Sequence, residues 1–299
     1  MSRNFSQLWL STPRTGRAIV IAGALAVGAL VCTGFLGSQT ASAESVRIGG
    51  TGAALPTMKF LGDALKRTAP EFSLIMVPDL GSGGGLKALS RDKIDVALSG
   101  RPLTKEEEAD GLIAIEYATT PFILATSKKG ITNLTLAQVA DIYAGKMLKW
   151  PDGTTIRLVI RPVNDVDTPL LAAFSPAVKD AVAVSLTRQG LITSITDGST
   201  MDDIQRLEGG LGTASLAPIV SDKRPLYPLS IGGVAPTVKN LANGSYTHAK
   251  PFYLVTRGRP SAPVTRFVEF LRSTEGRQIL TDNGHLVADS RTGGVAQSK

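Results

Sequence analysis

Residues 80–103, LGSGGGLKALSRDKIDVALSGRPL, contain the order of elements that decides the fold. The apolar residues 74–77 before them predict a strand, and the glycine-rich residues 81–85 predict a sharp turn with exposed backbone N–H groups. Residues 86–90 then predict a helix, whose first turn has unpaired donors and a partial positive charge. The apolar run 94–98 predicts a second strand. This order suits an anion cradle, although a tight strand-to-helix connection without a ligand has the same pattern.

The first 43 residues have the pattern of a secretory signal peptide. Arginines precede the apolar run 18–36, and Ala41-Ser42-Ala43 then supplies a small-residue cleavage site. A membrane anchor is the alternative, but this run is rich in Ala and Gly and no basic flank follows it. We therefore expect cleavage before Glu44 and a periplasmic location.

Composition limits the classes of function. The only cysteine, Cys32, lies in the predicted signal peptide, so disulfide and thiolate chemistry are not expected in the mature chain. The whole chain has 32 Lys and Arg against 25 Asp and Glu, a net charge of +7; without the three arginines of residues 1–43 the balance is 29 to 25, or +4. The basic residues are dispersed, so nucleic-acid binding is not expected.

Strands and amphipathic helices alternate along the mature chain, without internal repeats or a low-complexity linker. This alternation predicts an α/β architecture. The predicted strands are 46–48, 74–77, 94–98, two pieces within 114–126 around Pro121, 156–161, 211–215 and 252–256. The predicted helices are 55–68, 86–90, 104–110, 135–144, one that begins at Thr168-Pro169, 201–207 and 264–283.

Six segments in a fixed order carry a family resemblance. They are GGTGAALP (49–56), LGSGGGLKAL (80–89), IDVALSGRPLT (94–104), LTLAQVADIYAGKMLKWPDG (134–153), GGLGTASLAP (209–218), and TVKNLANGSYTHAKPFYLVT (237–256) followed by FVEFLRSTEGRQIL (267–280). With them the chain resembles the periplasmic phosphate-binding proteins of bacterial high-affinity phosphate ABC transporters. A single segment would be weak support, whereas six in order are specific.

The resemblance implies the type II periplasmic binding protein fold. In this α/β fold, two lobes, each a mixed sheet flanked by helices, are joined by two crossing strands, expected near 121–125 and 252–256. Lobe one would contain residues 44–121 and 254–299, and lobe two residues 122–253. Such proteins close on a ligand by hinge motion and deliver it to a membrane permease.

Several positions that contact phosphate in the family differ here. A Thr-Phe pair is replaced by Ala54-Leu55, and a Ser-Asp pair, whose carboxylate accepts a proton from phosphate, by Ser99-Gly100. The Arg-x-x-x-Ser-Gly-Thr segment corresponds to residues 161–168, RPVNDVDT. The resemblance implies ligand contacts at Ala54, Leu55, Ser82, Gly83, Ser99, Gly100, Arg161, Asp165 and Thr168. Arg101, which lies beside the lost acceptor, is a further candidate that the resemblance does not supply.

These differences predict a changed ligand site. Gly100 lacks the acceptor that selects a protonated oxyanion. A carboxylate such as Asp165 or Asp167 about 5 Å from an anion costs roughly 3 kcal/mol per charge pair at an effective dielectric near 20. Micromolar binding is worth only about 8 kcal/mol, so two unneutralised aspartates would abolish tight phosphate binding.

Other roles for these charged residues remain open from the sequence. Asp167 fits the N-cap of the helix at Thr168-Pro169, with its carboxylate bound to helix N–H groups. Asp165 fits an ion pair with Arg161. Arg101 suits a carboxylate or phosphoryl group in fork geometry, and equally a solvated surface.

Three classes of function remain. The first is a monomeric solute-binding protein of an ABC-type uptake system, which binds phosphate or another small oxyanion or organic anion and docks on a membrane permease. The second is a sensor or scaffold that keeps the fold with a changed site and presents it to a membrane partner. A secreted hydrolase is the weakest, because His248 and His285 lie far apart, suit surface or structural roles, and have no nucleophile elbow or metal-ligand cluster beside them. We expect no enzyme, cofactor or metal.

Overall fold

The computed structural model describes residues 44–77 and 80–287. The predicted signal peptide, 1–43, lies outside the described residues. Strands and helices alternate through the described part, as the sequence predicts. None of the helices within these ranges is long and apolar enough to cross a membrane.

The strands are β1 (Glu44–Gly50), β2 (Phe72–Met76), β3 (Val96–Ser99), β4 (Leu112–Thr126), β5 (Asn133–Leu134), β6 (Arg157–Ile160), β7 (Ile192–Thr193), β8 (Gly210–Ser215), β9 (Tyr227–Pro228), β10 (Ser230–Ile231), β11 (Ala249–Arg257) and β12 (Leu286–Val287). The helices are α1 (Leu55–Thr68), α2 (Gly81–Ser90), α3 (Lys105–Ala109), α4 (Leu136–Ala144), α5 (Asp167–Ala172), α6 (Pro176–Thr187), α7 (Asp197–Arg206), α8 (Leu216–Ser221), α9 (Val238–Ala242), α10 (Ala262–Arg272) and α11 (Thr274–Asp282).

The main sheet joins two parallel blocks through two antiparallel strands. Its order is β2-β1-β3-β11-β4-β8-β6-β7, and β9 and β12 also pair with β4. Strands β1, β2 and β3 are parallel to one another, as are β8, β6 and β7. Between these blocks, β11 and β4 run antiparallel to their neighbours. Each block places the carboxyl ends of its strands at one edge, where ligands bind in open α/β sheets.

Strand β4 is continuous, which corrects the prediction of two extended pieces around Pro121. Up to Pro121 it pairs with β11, and from Phe122 onward it pairs with β8. Proline has no N–H to donate to a ladder, and it is tolerated here because the partner strand changes at this residue. β4 therefore runs from one parallel block into the other.

Two large groups of buried apolar side chains lie on the two sides of this change of partner. One contains Ile48 of β1, Phe72 of β2 and Phe267 of α10. The other contains residues of the middle of the chain, such as Val139 and Trp150. Phe252 and Ala217 belong to the first group although the sequence assigns both to lobe two.

The glycine-rich segment 81–85 is helical, so the predicted turn is wrong and the helix begins at Gly81 rather than at Leu86. Helix α2 begins at Gly81, whose φ of 66° only glycine adopts readily, and it includes the later glycines. A Cβ on Gly85 would lie 2.6 Å from the Cα of Gly50. The glycines thus let α2 begin abruptly and pack directly on the end of β1.

The last predicted helix, 264–283, is two helices. Ser273 is extended between α10 and α11, and its side chain accepts a hydrogen bond from the N–H of Gly276. A serine N-cap therefore starts a new helix inside one continuous apolar pattern.

The two histidines pack against apolar side chains in different places. His248 stacks on Phe174 with 3.6 Å between ring centroids. His285 is fully buried beside Phe252, and its Nε2 lies 3.0 Å from Oγ1 of Thr57. Its Nδ1 has no hydrogen-bond partner among the described residues. Burial lowers the pKa of His285 to about 3.

This burial predicts an acid-sensitive fold. The unfolded chain takes up a proton on His285 near its ordinary pKa of about 6.5, whereas the folded chain does so only near pH 3. Stability from this group is therefore complete above pH 6.5 and falls by about 1.4 kcal/mol per pH unit below it.

Urea unfolding at pH 7 and pH 4.5 checks this. We expect His285→Gln, which keeps a partner for Thr57 but does not titrate, to lose about 2 to 3 kcal/mol less than the unsubstituted protein over this interval. Equal losses in the two proteins would show that His285 does not set the acid sensitivity.

Candidate functional site

The candidate site lies where loops after several strands meet the start of β11. Thr51 follows β1, Gly100 follows β3 and Arg161 follows β6. The helix starts at Asp167 and Asp197 face this position and meet Lys250 of β11. Parallel strand ends and helix starts are brought together here, as in other α/β ligand sites.

Lys250 is the centre of the site. Its Nζ donates hydrogen bonds to Oδ1 of Asp167 and Oδ1 of Asp197, each at 2.8 Å. The side chain of Lys250 is only 2% exposed, and those of Asp167 and Asp197 are 2% and 6% exposed. A buried ammonium thus bridges two buried carboxylates from different helices.

Threonine hydroxyls bind the second oxygen of each carboxylate. Thr51 Oγ1 donates to Oδ2 of Asp197 at 2.8 Å, and Thr213 Oγ1 donates to Oδ2 of Asp167 at 3.1 Å. Every carboxylate oxygen of the pair therefore accepts a hydrogen bond, which offsets part of the cost of removing the charges from water.

Arg161 pairs with Asp165, as one of the open alternatives predicts. Its Nε and Nη2 donate to the two oxygens of Asp165 at 2.9 and 2.6 Å. Nη1 donates to Thr200 Oγ1 at 2.7 Å and to the carbonyl of Ser194 at 3.2 Å. The fork geometry of the guanidinium is thus used within the protein.

We call Arg161, Asp165, Asp167, Asp197 and Lys250 the charge cluster. It contains two basic and three acidic groups, a formal net charge of −1. Burial disfavours the charged lysine, but the two carboxylates outweigh this effect and raise the pKa of Lys250 above its usual value.

The two bridged carboxylates differ in their acidity. Burial raises the pKa of Asp167 against the opposing effect of Lys250. Burial also disfavours the charged form of Asp197, but Lys250 and Arg161 outweigh it and lower the pKa of Asp197 to about 2. Asp167 is therefore the member of the pair that takes up a proton more readily.

Asp167 is not an N-cap, so the N-cap role that the sequence suggests for it is wrong. It is the first residue of α5, and its carboxylate binds Lys250 and Thr213 rather than helix N–H groups. Asp165 takes part of the expected role, because its Oδ1 accepts the N–H of Asp167 at 2.9 Å. A charged partner distant in sequence has outweighed the local cap.

Gly100 and Ser82 lie beside the side chain of Lys250. The N–H of Gly100 donates to Ser82 Oγ at 2.9 Å. A Cβ on Gly100 would lie 2.7 Å from Cε of Lys250. The aliphatic part of the lysine side chain thus passes over residue 100, where the resemblance implies an acid in phosphate-binding proteins.

The remaining predicted contacts are engaged outside the charge cluster. Arg101 Nη1 and Nη2 donate to the two carboxylate oxygens of Glu107 at 2.8 and 2.7 Å, and Ser99 Oγ donates to the carbonyl of Arg101 at 2.7 Å. Thr168 Oγ1 donates to the carbonyl of Pro162 at 2.7 Å. Ala54 and Leu55 pack in the first apolar group, and Gly83 lies within α2.

Sequence reasoning missed Lys250, Asp197 and Thr51. Lys250 is a charged residue in a segment that is otherwise strand-forming, which is a usable signal for a buried ion pair. Asp197 follows Thr196 at a capped helix start. Neither position reveals its partner, because those partners lie 53 and more residues away.

A small cavity adjoins the charge cluster. It has a volume of about 10 Å³ and lies beside Arg161, Asp167 and Thr213, with room for about one water molecule. Phosphate does not fit this cavity unless the surrounding side chains move. Within residues 44–77 and 80–287, no group of three or more His, Cys, Asp or Glu side chains is placed to hold a metal.

Comparison with known proteins identifies the family. The profile of the PBP superfamily domain matches residues 37–275, most of the chain. The chain belongs to this family. It is a family of binding proteins, which agrees with the predicted class of function.

Individual relatives point in the same direction. The phosphate-binding protein PstS of Bacillus subtilis is 25% identical over 258 residues, which cover 84% of this chain and 82% of that protein. The protein SphX of Synechococcus elongatus is 25% identical over 273 residues, which cover 83% of this chain and 80% of that protein. The predicted resemblance to phosphate-binding proteins is confirmed.

Solved structures confirm the two-lobed fold. A substrate-binding protein from Clostridium perfringens, solved with bound phosphate, is 24% identical and superimposes with a TM-score of 0.68, covering 82% of this chain and 100% of that chain. An ABC-type phosphate transport receptor from Vibrio cholerae is 19% identical, with a TM-score of 0.57 over 82% of this chain and 100% of that chain.

The charge cluster predicts a large effect of neutralising its lysine. Lys250→Met leaves two buried carboxylates without their cation, and we expect a loss of about 3 to 5 kcal/mol in the free energy of unfolding. Lys239→Met, on an exposed position of α9, should change it by no more than about 0.5 kcal/mol. Urea denaturation measures both, and similar small losses would show that the bridge is not formed in solution.

Proposed function

We propose that this chain is the solute-binding component of an ABC-type uptake system and that it binds a small anion, with phosphate as the first candidate, between two lobes. One observation carries the proposal: two buried cations, Arg161 and Lys250, meet beside the carboxyl ends of β1, β3 and β6. The relative from Bacillus subtilis is named as a phosphate-binding protein, and the Clostridium perfringens structure holds phosphate.

We propose the two lobes that the resemblance implies, but place their second boundary at Ala249, because β11 pairs from Ala249 onward with the part of β4 before Phe122. Lobe one then contains residues 44–121 and β11, and lobe two contains residues 122–248. The two large apolar groups support this division, with Ala217 as the exception. β4 and β11 would be the crossing strands, because β4 exchanges β11 for β8 at Pro121 and β11 begins opposite that residue. Hinge motion at this point would open the site.

In the opened protein the ligand would meet donors from both lobes. Lys250 and Arg161 would supply charge, and the hydroxyls of Ser82 and Thr51 would supply neutral hydrogen bonds. Of the predicted contacts, the structure supports Ser82, Gly100, Arg161 and Asp165 most directly, because these four adjoin or belong to the charge cluster.

The proposed location is outside the cytoplasmic membrane. It rests on the signal-peptide pattern of residues 1–43, which lie outside the described part. A membrane permease would be the partner, and the protein would act as a monomer.

The charge cluster also favours a second candidate, a sensor or scaffold with a degenerate site. Both cations are already paired with carboxylates, so no charge is left over for a ligand in this arrangement. Such a protein would keep the fold to contact a membrane partner and would bind no small anion tightly.

Calorimetric titration of the refolded, ligand-free mature protein separates the two candidates. Phosphate is tested first at neutral pH, followed by sulfate, phosphonates and small carboxylates. Micromolar or tighter binding of one of these anions supports uptake. No binding of any of them contradicts the uptake proposal and favours the sensor.

Two matched double variants test the role of Arg161. Arg161→Gln with Asp165→Asn removes a fork pair from the charge cluster without changing net charge, and we expect phosphate to bind about 10- to 100-fold more weakly. Arg101→Gln with Glu107→Gln removes the other fork pair and should leave the affinity unchanged. Equal affinities in the two double variants, measured by the same titration, would exclude Arg161 from the binding site.

A further inference from the structure

The charge cluster joins segments that are far apart in the sequence and belong to different apolar groups. Thr51, which follows β1, binds Asp197, which begins α7, across 146 residues. Lys250 of β11 binds both Asp197 and Asp167, across 53 and 83 residues. The proposed lobes are thus connected by buried hydrogen bonds without any ligand.

The two carboxylates occupy the donors that an oxyanion would use. Each has one oxygen on the ammonium of Lys250 and the other on a threonine hydroxyl. An ammonium and hydroxyl groups arranged around acidic oxygens are also the donor set for a bound phosphate or carboxylate ligand. Asp167 and Asp197 therefore take the position of ligand oxygens.

We propose that Asp167 and Asp197 are built-in competitors of the anionic ligand, which hold the lobes closed on Lys250 until an anion takes their place. This inference rests on the proposed function, because it assigns the ligand to the same site. It makes the two aspartates determinants of both affinity and closure.

Charge explains why the aspartates compete rather than assist. The charge cluster already has a net charge of −1, so a phosphate that enters meets three carboxylates and two cations. Each cation released to the phosphate leaves an aspartate without its partner. Phosphate therefore has to separate Lys250 from the aspartates before it gains the full attraction of the lysine.

Asparagine is a suitable replacement at both positions. It has the shape of aspartate, its carbonyl oxygen can accept the bond from Lys250, and its amide can donate to the threonine hydroxyl. Asp167→Asn and Asp197→Asn thus remove charge with little change in packing. Asp202→Asn is the matched control, because it removes the same charge from α7 at a side chain that is 68% exposed.

Distances between spin labels measure closure without any ligand. Residues 44–299 contain no cysteine, so Lys66→Cys on α1 and Lys179→Cys on α6 place one label on each proposed lobe. We expect the ligand-free parent and its Asp202→Asn variant to give one short distance. The Asp167→Asn/Asp197→Asn variant should give a longer distance, which phosphate shortens again, because a neutral amide attracts the buried ammonium of Lys250 less than a carboxylate does.

Titration with inorganic phosphate measures the competition. Asp197→Asn and Asp167→Asn should each bind phosphate about 10- to 100-fold more tightly than the parent, since one unit of repulsion is removed. Asp202→Asn should bind like the parent. The single variants keep the inference testable if the double variant does not fold.

The outcomes separate the two proposals. If phosphate binds to the parent but neither affinity nor label distance changes in the asparagine variants, the inference is overturned and the proposed function stands. If phosphate binds to no variant, the proposed function is wrong for phosphate, and the competition is wrong with it. Tighter binding together with a longer ligand-free distance supports both.

Discussion

The ammonium of Lys250 between Asp167 and Asp197 is the interaction on which the rest of the site depends. Removing three charges from water costs several kcal/mol for each ion, and this cost is offset only where geometry and hydrogen bonding are nearly complete. Here all four carboxylate oxygens have a donor, two from Lys250 and one each from Thr51 and Thr213. The positions of β11, of the starts of α5 and α7, and of the loop after β1 are therefore mutually constrained. Displacing any one of them leaves a buried charge with an incomplete set of partners.

Gly100 and Lys250 are two parts of one arrangement. The resemblance implies an acid at the position of Gly100 in phosphate-binding proteins, whereas here the lysine stem passes so close that a Cβ would lie 2.7 Å from its Cε. A side chain at residue 100 and the observed course of Lys250 are therefore incompatible unless the lysine shifts. Asp167 and Asp197 supply the carboxylates of the site from two other segments of the chain. The absence of a side chain at Gly100 leaves room for Lys250 to reach both of them.

The sequence predicted what depends on local pattern and missed what depends on distant partners. Apolar periodicity and capping residues placed most elements, such as α1 at Leu55–Thr68 and the Thr104 cap of α3. The glycines of 81–85 predict a turn when only their sequence is considered, because their close approach to Gly50 is a tertiary contact. The N-cap role for Asp167 agrees with local capping rules, but its carboxylate binds Lys250, 83 residues away, instead of helix N–H groups. Among the ion pairs of the charge cluster, only Arg161–Asp165 joins residues close enough in sequence, four apart, to be predicted from local spacing.

Buried ion pairs contribute little net stability compared with apolar side chains of similar volume, but they are favourable only within a narrow range of distances and angles. In a two-lobed protein this property has a particular consequence. On the proposed hinge motion, the bonds of Asp197 to Lys250 and Thr51 would break as the two sides of the site part, and water would replace them. The free energy of opening would then be the difference between pairing these charges within the protein and hydrating them with water. This difference is small compared with either free energy alone. A single substitution that changes one charge in the charge cluster would shift this free energy of opening directly. Closure and ligand selection can therefore change while the fold is retained.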